Sequence, residues 1–346
     1  MLSVYVGGLS GGLFSAALLG IPGTPSSVAT TFDAFPMARS GLPGKALALG
    51  LWSSFFGSLI SIVVLILAAP PLALLAVKLG PWEYFALIVF ALTVIASLVG
   101  DSLLRGLIAG LVGIGLATVG PDPLMGRERF TFGYEMLSAG IPFLVVLIGM
   151  YAVSQLLSEL ETSPKQQAQG STSLISGDMR PHNLETLKAI VLRPVNVIRS
   201  SLIGVFIGAV PGAGSSISNL LAYDQAKRSS SHPENFGKGE PQGVIASESG
   251  NSSTAGGGLI PLIALGIPGS AVDAVLMAAI MVHGISIGPR LILDNPELVY
   301  GMFLSMAVAS VLMLCIGLLL MRAFLNLLNV PKYFIVPVVL SCCVIG

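Results

Sequence analysis

Leu19-Gly-Ile-Pro-Gly-Thr24 and Leu265-Gly-Ile-Pro-Gly-Ser270 place the same proline-glycine interruption inside two long apolar runs of the chain. Lipid offers the backbone no hydrogen-bond partner, so such a break is tolerated only where protein or a water-filled cavity surrounds it. Matching breaks in two hydrophobic halves indicate paired discontinuous helices. Downstream, Met37–Gly41 is loosely echoed by Met281–Gly284. The pair therefore predicts an internal repeat built on broken or re-entrant helices.

A third break follows the same pattern at Val210-Pro-Gly-Ala-Gly-Ser215, upstream of the break at Pro268. Equivalent halves would need a partner for it before residue 1, so we expect an N-terminal portion to be missing from this chain. The uncharged end Tyr333–Gly346 is too short to span a bilayer, which suggests a helix cut partway. Three breaks in apolar sequence predict one shared interior cavity.

The composition favours lipid as the solvent for this chain. Hydrophobic residues make up 54% of it and charged residues only 10%, against about 25% charged in soluble domains. The length that a spanning helix needs predicts about eight to ten membrane-embedded segments. Met1 starts the first one without a basic region, so a removable signal peptide is not expected. The net charge is zero and no basic stripe exists, which disfavours nucleic acid as a partner.

A polar stretch divides the chain into two hydrophobic parts. Residues 159–199 are rich in Ser, Gln, Pro and mixed charges and are predicted to form an extramembrane linker. Residues 1–158 then form a first membrane repeat, incomplete at its N-terminus, and residues 200–346 a second, incomplete at its C-terminus. The predicted fold class is an all-α polytopic membrane protein with two inverted repeats, discontinuous or re-entrant helices and an elevator-like architecture.

Each break is followed by hydroxyl-rich sequence that is typical of a helix start. Ser and Thr favour N-cap positions and Pro suits the first turn. Free N–H groups and the positive end of the helix dipole would then point into the cavity and bind an anion without a basic side chain. The predicted substrate-binding residues are Gly23, Thr24, Pro25, Ser26, Ser27, Gly212, Gly214, Ser215, Ser216, Asn219, Gly269 and Ser270.

The densest polar patch contains Glu248, Asn251 and Ser252, whose spacing places them on one helical face. A carboxylate inside the membrane predicts a functional site. Na⁺ would suit the oxygens of Asn251 and Ser252, whereas a proton would ride on Glu248. The alternative places Glu248 at the membrane interface, paired with Lys238 or Arg228.

Two aspartates are further candidates for ion coupling. Asp33 shares a helical face with Ser26 and Thr30, and Asp273 lies one turn after the third break. For Asp273 three interpretations remain open: it caps its helix, serves the ion site or faces water. No Lys or Arg flanks the breaks closely, so a bound carboxylate must be neutralised by dipoles, hydroxyls and a co-transported cation.

Small residues also have a structural interpretation, because Gly, Ser and Thr let membrane helices approach closely. That interpretation covers Thr30, Ser216 and Ser218. It also covers three glycine pairs with close-packing spacing, which need no role in substrate binding: Gly8 and Gly12, Gly106 and Gly110, Gly204 and Gly208.

The sequence resembles the large membrane subunit of tripartite tricarboxylate transporters, the TctA family. The resemblance is carried by Ile21-Pro-Gly-Thr-Pro-Ser-Ser-Val-Ala-Thr30, Val210-Pro-Gly-Ala-Gly214, Pro233-Glu-Asn-Phe-Gly-Lys-Gly-Glu240, Glu248-Ser-Gly-Asn251 and His283-Gly-Ile-Ser-Ile-Gly-Pro289. It implies uptake of citrate-like di- and tricarboxylates, driven by a Na⁺ or proton gradient, with no other cofactor. It also implies a TctB-like small membrane subunit, a TctC-like periplasmic solute-binding protein and a multi-pass location in the bacterial inner membrane. A homodimer is a separate hypothesis, and the sequence leaves the oligomeric state open.

Two other functions are compatible with a polytopic chain. An intramembrane hydrolase would use a Ser with His283, but no nucleophile elbow is present. A structural membrane subunit without transport activity would leave the polar breaks unexplained. The sequence therefore favours a transporter that is not an enzyme.

Overall fold

The computed structural model describes residues 1–98, 103–122, 127–142, 145–146, 149–150, 178–321, 323 and 341. The described chain is mainly helical, in agreement with the predicted all-α membrane fold. The helices are α1 Leu2–Leu19, α2 Val28–Arg39, α3 Pro43–Ala76, α4 Pro81–Leu98, α5 Leu103–Ala117, α6 Asn183–Val191, α7 Pro194–Ala209, α8 Gly214–Arg228, α9 Pro241–Leu265, α10 Ala271–Val282, α11 Leu291–Asp294 and α12 Pro296–Leu319. Short 3₁₀ turns lie at Pro25–Ser27, Glu135–Leu137 and Pro233–Asn235.

One small departure from the all-α prediction follows α5. Strands β1, Gly120–Pro121, and β2, Glu128–Arg129, pair antiparallel, and the Arg129 guanidinium forms an ion pair with Asp122 beside them. A hairpin of two residues a side buries no core of its own.

Three helices in the described part of the chain are long and apolar enough to cross a membrane, namely α1, α3 and α12. The pair α6 and α7, bent by 78°, adds a fourth if it is one span. Shorter apolar helices occur at Pro81–Thr93, Leu104–Ala117 and Ala271–Val282. The total of eight to ten embedded segments stays a prediction, because several of the uncharged runs continue outside the described residues.

Helix α9 forms the centre of the fold although its sequence is rich in Ser, Gly and Asn. Every residue from Gly243 to Ala264 is buried, and α3, α7 and α8 make the most extensive contacts around it. Small side chains allow this proximity: a Cβ on Gly208 would lie 2.6 Å from the carbonyl oxygen of Thr254. Helix α9 is therefore surrounded by other helices of the protein rather than by lipid.

The predicted close packing of glycine pairs is confirmed at Gly204 and Gly208, both of which face the backbone of α9. It is not seen for Gly8 and Gly110: no heavy atom of the described chain lies within 4 Å of where a Cβ would be at either position. Gly12 is closely packed, but against the side chains of the first break rather than a second long helix.

The two predicted repeats are closely packed against each other, because α3 of the first part makes its largest contact with α9 of the second. The predicted linker falls partly outside the described residues. Its described end is helical: α6 lies within it, and α7 starts at Pro194, before the predicted boundary at residue 200. A salt bridge of 3.1 Å between Lys45 and Glu185 joins α6 to α3.

Candidate functional site

The first break separates α1 from α2. Gly20 ends α1 with φ 68° and ψ 17°, a left-handed conformation that suits glycine. Thr24 is extended and forms a capping box with Ser27: the Thr24 N–H donates to Ser27 Oγ at 3.2 Å. The Thr24 and Ser26 hydroxyls lie 3.0 Å apart. The chain therefore stops one helix, turns and starts the next, as the Pro-Gly pattern predicts.

The third break has a similar local conformation, except that α10 begins directly after the cap without a 3₁₀ turn. Gly266 ends α9 with φ 74° and ψ 21°, and the extended Ser270 caps α10 by accepting a hydrogen bond of 3.3 Å from the Asp273 N–H. One packing contact is also shared by the two copies. A Cβ on Gly23 would lie 3.0 Å from the Cα of Gly12, and one on Gly269 would lie 3.0 Å from the Cα of Gly258.

These two breaks are thus local structural copies, in which Gly12, Gly23 and Ser27 correspond to Gly258, Gly269 and Asp273. The inverted relation between the complete halves and the elevator-like movement stay predictions.

The second break joins the third through the backbone. Gly212 lies in the left-handed region with φ 81°, and its N–H donates to the carbonyl oxygen of Gly269 at 2.9 Å. Gly214, with φ 63°, then starts α8. The starts of α8 and α10 are therefore held side by side.

The three breaks line one cavity of about 1060 Å³, which confirms the predicted shared hollow. Its polar lining includes Tyr5, Thr24, Ser26, Ser215, Ser216, Thr254, Ser270 and Asp273, and its backbone lining includes Pro25, Gly212 and Gly214. None of the lining residues is Lys or Arg. The cavity has a mainly apolar wall in which hydroxyl groups, helix starts and one acidic side chain are set, and helix starts are sites where N–H groups and dipoles can bind an anion.

Four of the predicted substrate-binding residues lie next to this cavity rather than in its lining: Gly23, Ser27, Asn219 and Gly269. Asn219 is buried, and both atoms of its side-chain amide form hydrogen bonds within the protein. Its Oδ1 accepts the Ala29 N–H at 2.7 Å, and its amide donates to Thr30 Oγ1 at 3.3 Å and to the Ser247 carbonyl at 3.1 Å. Asn219 thereby caps the first turn of α2 from a distant part of the sequence.

Asp33 is also buried and also outside the cavity. Its Oδ1 accepts the N–H groups of Gly237, Gly239 and Glu240 at 2.8–2.9 Å, and its Oδ2 accepts the Tyr223 hydroxyl at 2.9 Å. These four hydrogen bonds satisfy both oxygens of the carboxylate without a bound ion. Asp33 therefore fixes the loop before α9 to α2, and its predicted ion-coupling role stays a prediction.

Glu248 lies in the centre of the fold and is fully buried. Its carboxylate accepts the Thr30 hydroxyl at 2.6 Å and the Ser54 hydroxyl at 2.8 Å. The alternative of an interfacial pairing with Lys238 or Arg228 is wrong, because Arg228 pairs with Asp224 instead, and Lys238 is exposed. The predicted ion-coupling role of Glu248 stays a prediction.

Asn251 and Ser252 carry oxygens without partners. The Asn251 amide donates to the Leu9 carbonyl at 2.8 Å. In the described chain, Asn251 Oδ1, Ser252 Oγ and the neighbouring Ser10 Oγ are buried and accept or donate no hydrogen bond. Buried polar groups without hydrogen bonds require an explanation. A Na⁺ ion bound by Asn251 and Ser252 would be one such explanation, and this site stays a prediction.

Sequence reasoning missed several residues of this region. Tyr5 and Gly8 line the cavity from α1, and Thr254 lines it from α9. Ser54, Ser58 and Ser61 form a buried serine stripe on α3. Their spacing of i, i+4 and i+7 was a readable signal, whereas the position of Tyr5 follows only from the fold.

The sequence matches the tripartite tricarboxylate transporter TctA family over residues 1–346. The chain belongs to the TctA family. This confirms the resemblance noted in the sequence and makes the chain a member of a transporter family rather than of an enzyme class. Apolar helices and membership of the TctA family together support a multi-pass membrane protein.

Two relatives of this TctA-family chain come from Agrobacterium vitis. An uncharacterized 52.8 kDa protein in the TAR-I ttuC' 3' region is 37% identical over 348 residues, which cover 100% of this chain and 68% of the relative. An uncharacterized protein in the TAR-II ttuC' 3' region is 32% identical over 143 residues, or 41% of this chain and 59% of the relative. No solved structure matches the chain.

Replacement of Glu248 tests how its buried carboxylate is held. In Glu248→Gln the amide can still bond both hydroxyls, so we expect a change below about 1 kcal/mol in the free energy of unfolding. Glu248→Ala strands two donors and opens a void, which costs about 3 kcal/mol. Thermal unfolding of the detergent-purified variants measures both changes. Equal losses in the two variants would show that the hydroxyls do not hold the carboxylate.

Proposed function

We propose that this chain is the membrane subunit of a cation-coupled secondary transporter that imports small di- and tricarboxylates, such as citrate. The observation that carries the proposal is the cavity shared by the three breaks. It is large enough for a small carboxylate, and hydroxyls and helix starts line it where no Lys or Arg does. An anion bound there would be stabilised by oriented N–H groups and released without breaking a strong ion pair.

Cation coupling follows from the charge in the same place. Asp273 lines the cavity, so its negative charge would repel an anionic substrate. Binding therefore requires a positive ion to offset the repulsion between the two carboxylates. Na⁺ or a proton would serve, with Glu248, Asn251, Ser252 and Asp273 as the candidate groups. Movement of the cavity between the two faces of the membrane, in an elevator-like manner, would then couple the cation gradient to uptake.

Membership of the TctA family supports the remaining parts of the proposal. The full assembly would contain a small membrane subunit and a periplasmic solute-binding protein that delivers the carboxylate, in the inner membrane of a bacterium. A homodimer of the large subunit is part of the same proposal.

In the described chain, the positions of Ser270 and His283 argue against an intramembrane hydrolase. Ser270 caps the start of α10 and His283 its end, so about 18 Å of helix separates them. The His283 ring instead lies 2.8 Å from the Ala279 carbonyl on its own helix. A purely structural subunit would give no reason for hydroxyl groups and helix starts around one cavity at the three breaks.

Uptake into proteoliposomes tests the proposal directly. Vesicles that contain the chain and its small membrane subunit would receive labelled citrate on the binding protein. A tenfold inward gradient of one coupled cation supplies about 1.4 kcal/mol, enough for about tenfold accumulation. We expect accumulation without ATP and its loss when an ionophore collapses the gradient. Uptake that needs ATP at a clamped gradient would contradict the proposal.

A glycine in the cavity provides a matched variant for this assay. Gly8 lines the cavity and has open space around it in the described chain, so Gly8→Leu fills the hollow without a packing clash. We expect at least about a tenfold loss of uptake, equivalent to 1.4 kcal/mol of binding. Gly7 also has open space but does not line the cavity, so Gly7→Leu should retain uptake. Equal uptake by the two variants would place the substrate elsewhere.

A further inference from the structure

Asp273 differs from Asp33 and Glu248 in lining the cavity while one of its buried carboxylate oxygens lacks a hydrogen-bond partner among the described residues. The residue is fully buried yet lines the hollow. Its Oδ2 accepts the Ser270 hydroxyl at 2.7 Å. Its Oδ1 has no hydrogen-bond partner in the described part of the chain. A buried carboxylate oxygen without a donor is unfavourable unless a cation or proton joins it.

The equivalent position in the first break shows that capping does not require this charge. There Ser27 takes the place of Asp273, and its neutral hydroxyl completes the capping box with Thr24. In both breaks an extended Thr24 or Ser270 follows a left-handed glycine, although Ser27 ends a 3₁₀ turn whereas Asp273 lies in the first turn of α10. A neutral hydroxyl thus completes the cap at the equivalent position, and the cap alone does not explain the charge of Asp273.

The groups that face Asp273 supply no positive charge. From α1 comes the Tyr5 hydroxyl, the one titratable group of the described chain placed against Asp273 and Ser270. Helix α9 presents Gly258 to the carboxylate, and the end of α7 presents Gly208 to the adjacent Gly269. The remainder of α10 up to its end carries no charged side chain. A substrate carboxylate beside Asp273 would therefore meet a like charge with no cationic side chain of the described residues to offset it.

We propose that Asp273 takes up the coupling proton and, as a neutral acid, donates a hydrogen bond from Oδ1 to a carboxylate of the substrate. The inference rests on the proposed transport function and specifies its ion and its residue. Two carboxylates that share a site hold one proton between them far more strongly than either alone. The proton enters from water with the substrate and leaves to water on the other side with it, so no bond other than O–H forms or breaks.

The remaining acids near the breaks are less suited to this role. Asp33 has four donors on its two oxygens, and Glu248 has a hydroxyl donor on each. Neither of them lines the cavity. A proton on either acid would break hydrogen bonds within the protein without reaching the substrate.

Calorimetry of succinate and citrate binding to the full purified chain tests the inference. Titrations in Na⁺-free buffers of different ionisation enthalpy measure the protons taken up with each bound anion. We expect about one proton for the wild type, and an affinity that falls about tenfold for each unit of rising pH, because only the protonated acid binds. Asp273→Asn mimics the neutral acid, so it should bind at all pH values with no proton uptake. Asp273→Ala should bind weakly.

A matched control makes the result specific. Asp224→Asn makes the same change at an acid on α8 that pairs with Arg228, and it should keep the proton uptake of the wild type. Proton uptake that survives in Asp273→Asn, or that disappears in Asp224→Asn, would overturn the inference. Wild-type binding that requires Na⁺ and takes up no proton would overturn it while leaving the transport proposal intact. A wild type that binds neither anion would contradict both.

Discussion

Asp33→Ala is expected to reduce the free energy of unfolding by about 3–5 kcal/mol. The substitution removes the acceptor of three backbone N–H groups and one tyrosine hydroxyl in a buried position, and each stranded donor costs about 1–3 kcal/mol, less where water reaches it. The loop at Gly237–Glu240 would lose its attachment to α2, and α9 would lose the fixed start that this loop provides. Thermal unfolding of the detergent-purified chain measures the loss.

Matched variants separate this structural role from ion coupling. Asp33→Asn keeps an oxygen for the three N–H groups, and Tyr223→Phe removes only one donor, so each should cost about 1 kcal/mol. Asp33→Asn should also retain carboxylate binding in the calorimetric assay. An alanine variant as stable as Tyr223→Phe would show that the loop does not depend on the carboxylate. Loss of ion-coupled uptake in a stable Asp33→Asn protein would support the ion-coupling prediction.

Gly257→Ala is expected to reduce the free energy of unfolding by about 3 kcal/mol. A Cβ at this position would lie 2.8 Å from the Cα of Val205 on α7. Because the obstacle is backbone, the two helices must separate, and overpacking of this kind costs about 1–3 kcal/mol or more. The cavity would widen as well, since the starts of α8 and α10 depend on the contact between α7 and α9.

The same substitution at Gly110 should have the opposite sign. No heavy atom of the described chain lies within 4 Å of a Cβ there, and alanine favours a helix by about 1 kcal/mol over glycine. Thermal unfolding of the two alanine variants side by side tests the close packing of α9. A Gly257→Ala protein as stable as Gly110→Ala would contradict the packing described for α7 and α9.

Local signals in the sequence predicted the breaks and their cavity. Proline, glycine and hydroxyl residues act on their immediate neighbours, so the ends at Gly20 and Gly266 and the caps at Thr24 and Ser270 could be read directly. The close packing of Gly204 and Gly208 followed from their spacing alone.

The partners of the buried polar side chains could not be read in this way. Asn219 caps α2, Asp33 holds the loop before α9, and Glu248 bonds to Thr30 and Ser54, all across long stretches of sequence. Each pairing depends on which helices become neighbours. A helical face identifies residues that point the same way, but the acceptor or donor opposite them belongs to another helix.

The burial of α9 has a consequence for how the protein is made. A segment with Glu248, Asn251 and many serines partitions poorly into lipid when it leaves the translocon alone. Its main neighbours α3, α7 and α8 all precede it in the chain, so they are synthesised first. We therefore expect α9 to enter the membrane against a surface that the earlier helices have assembled, and we expect deletion of α7 and α8 to prevent its retention there.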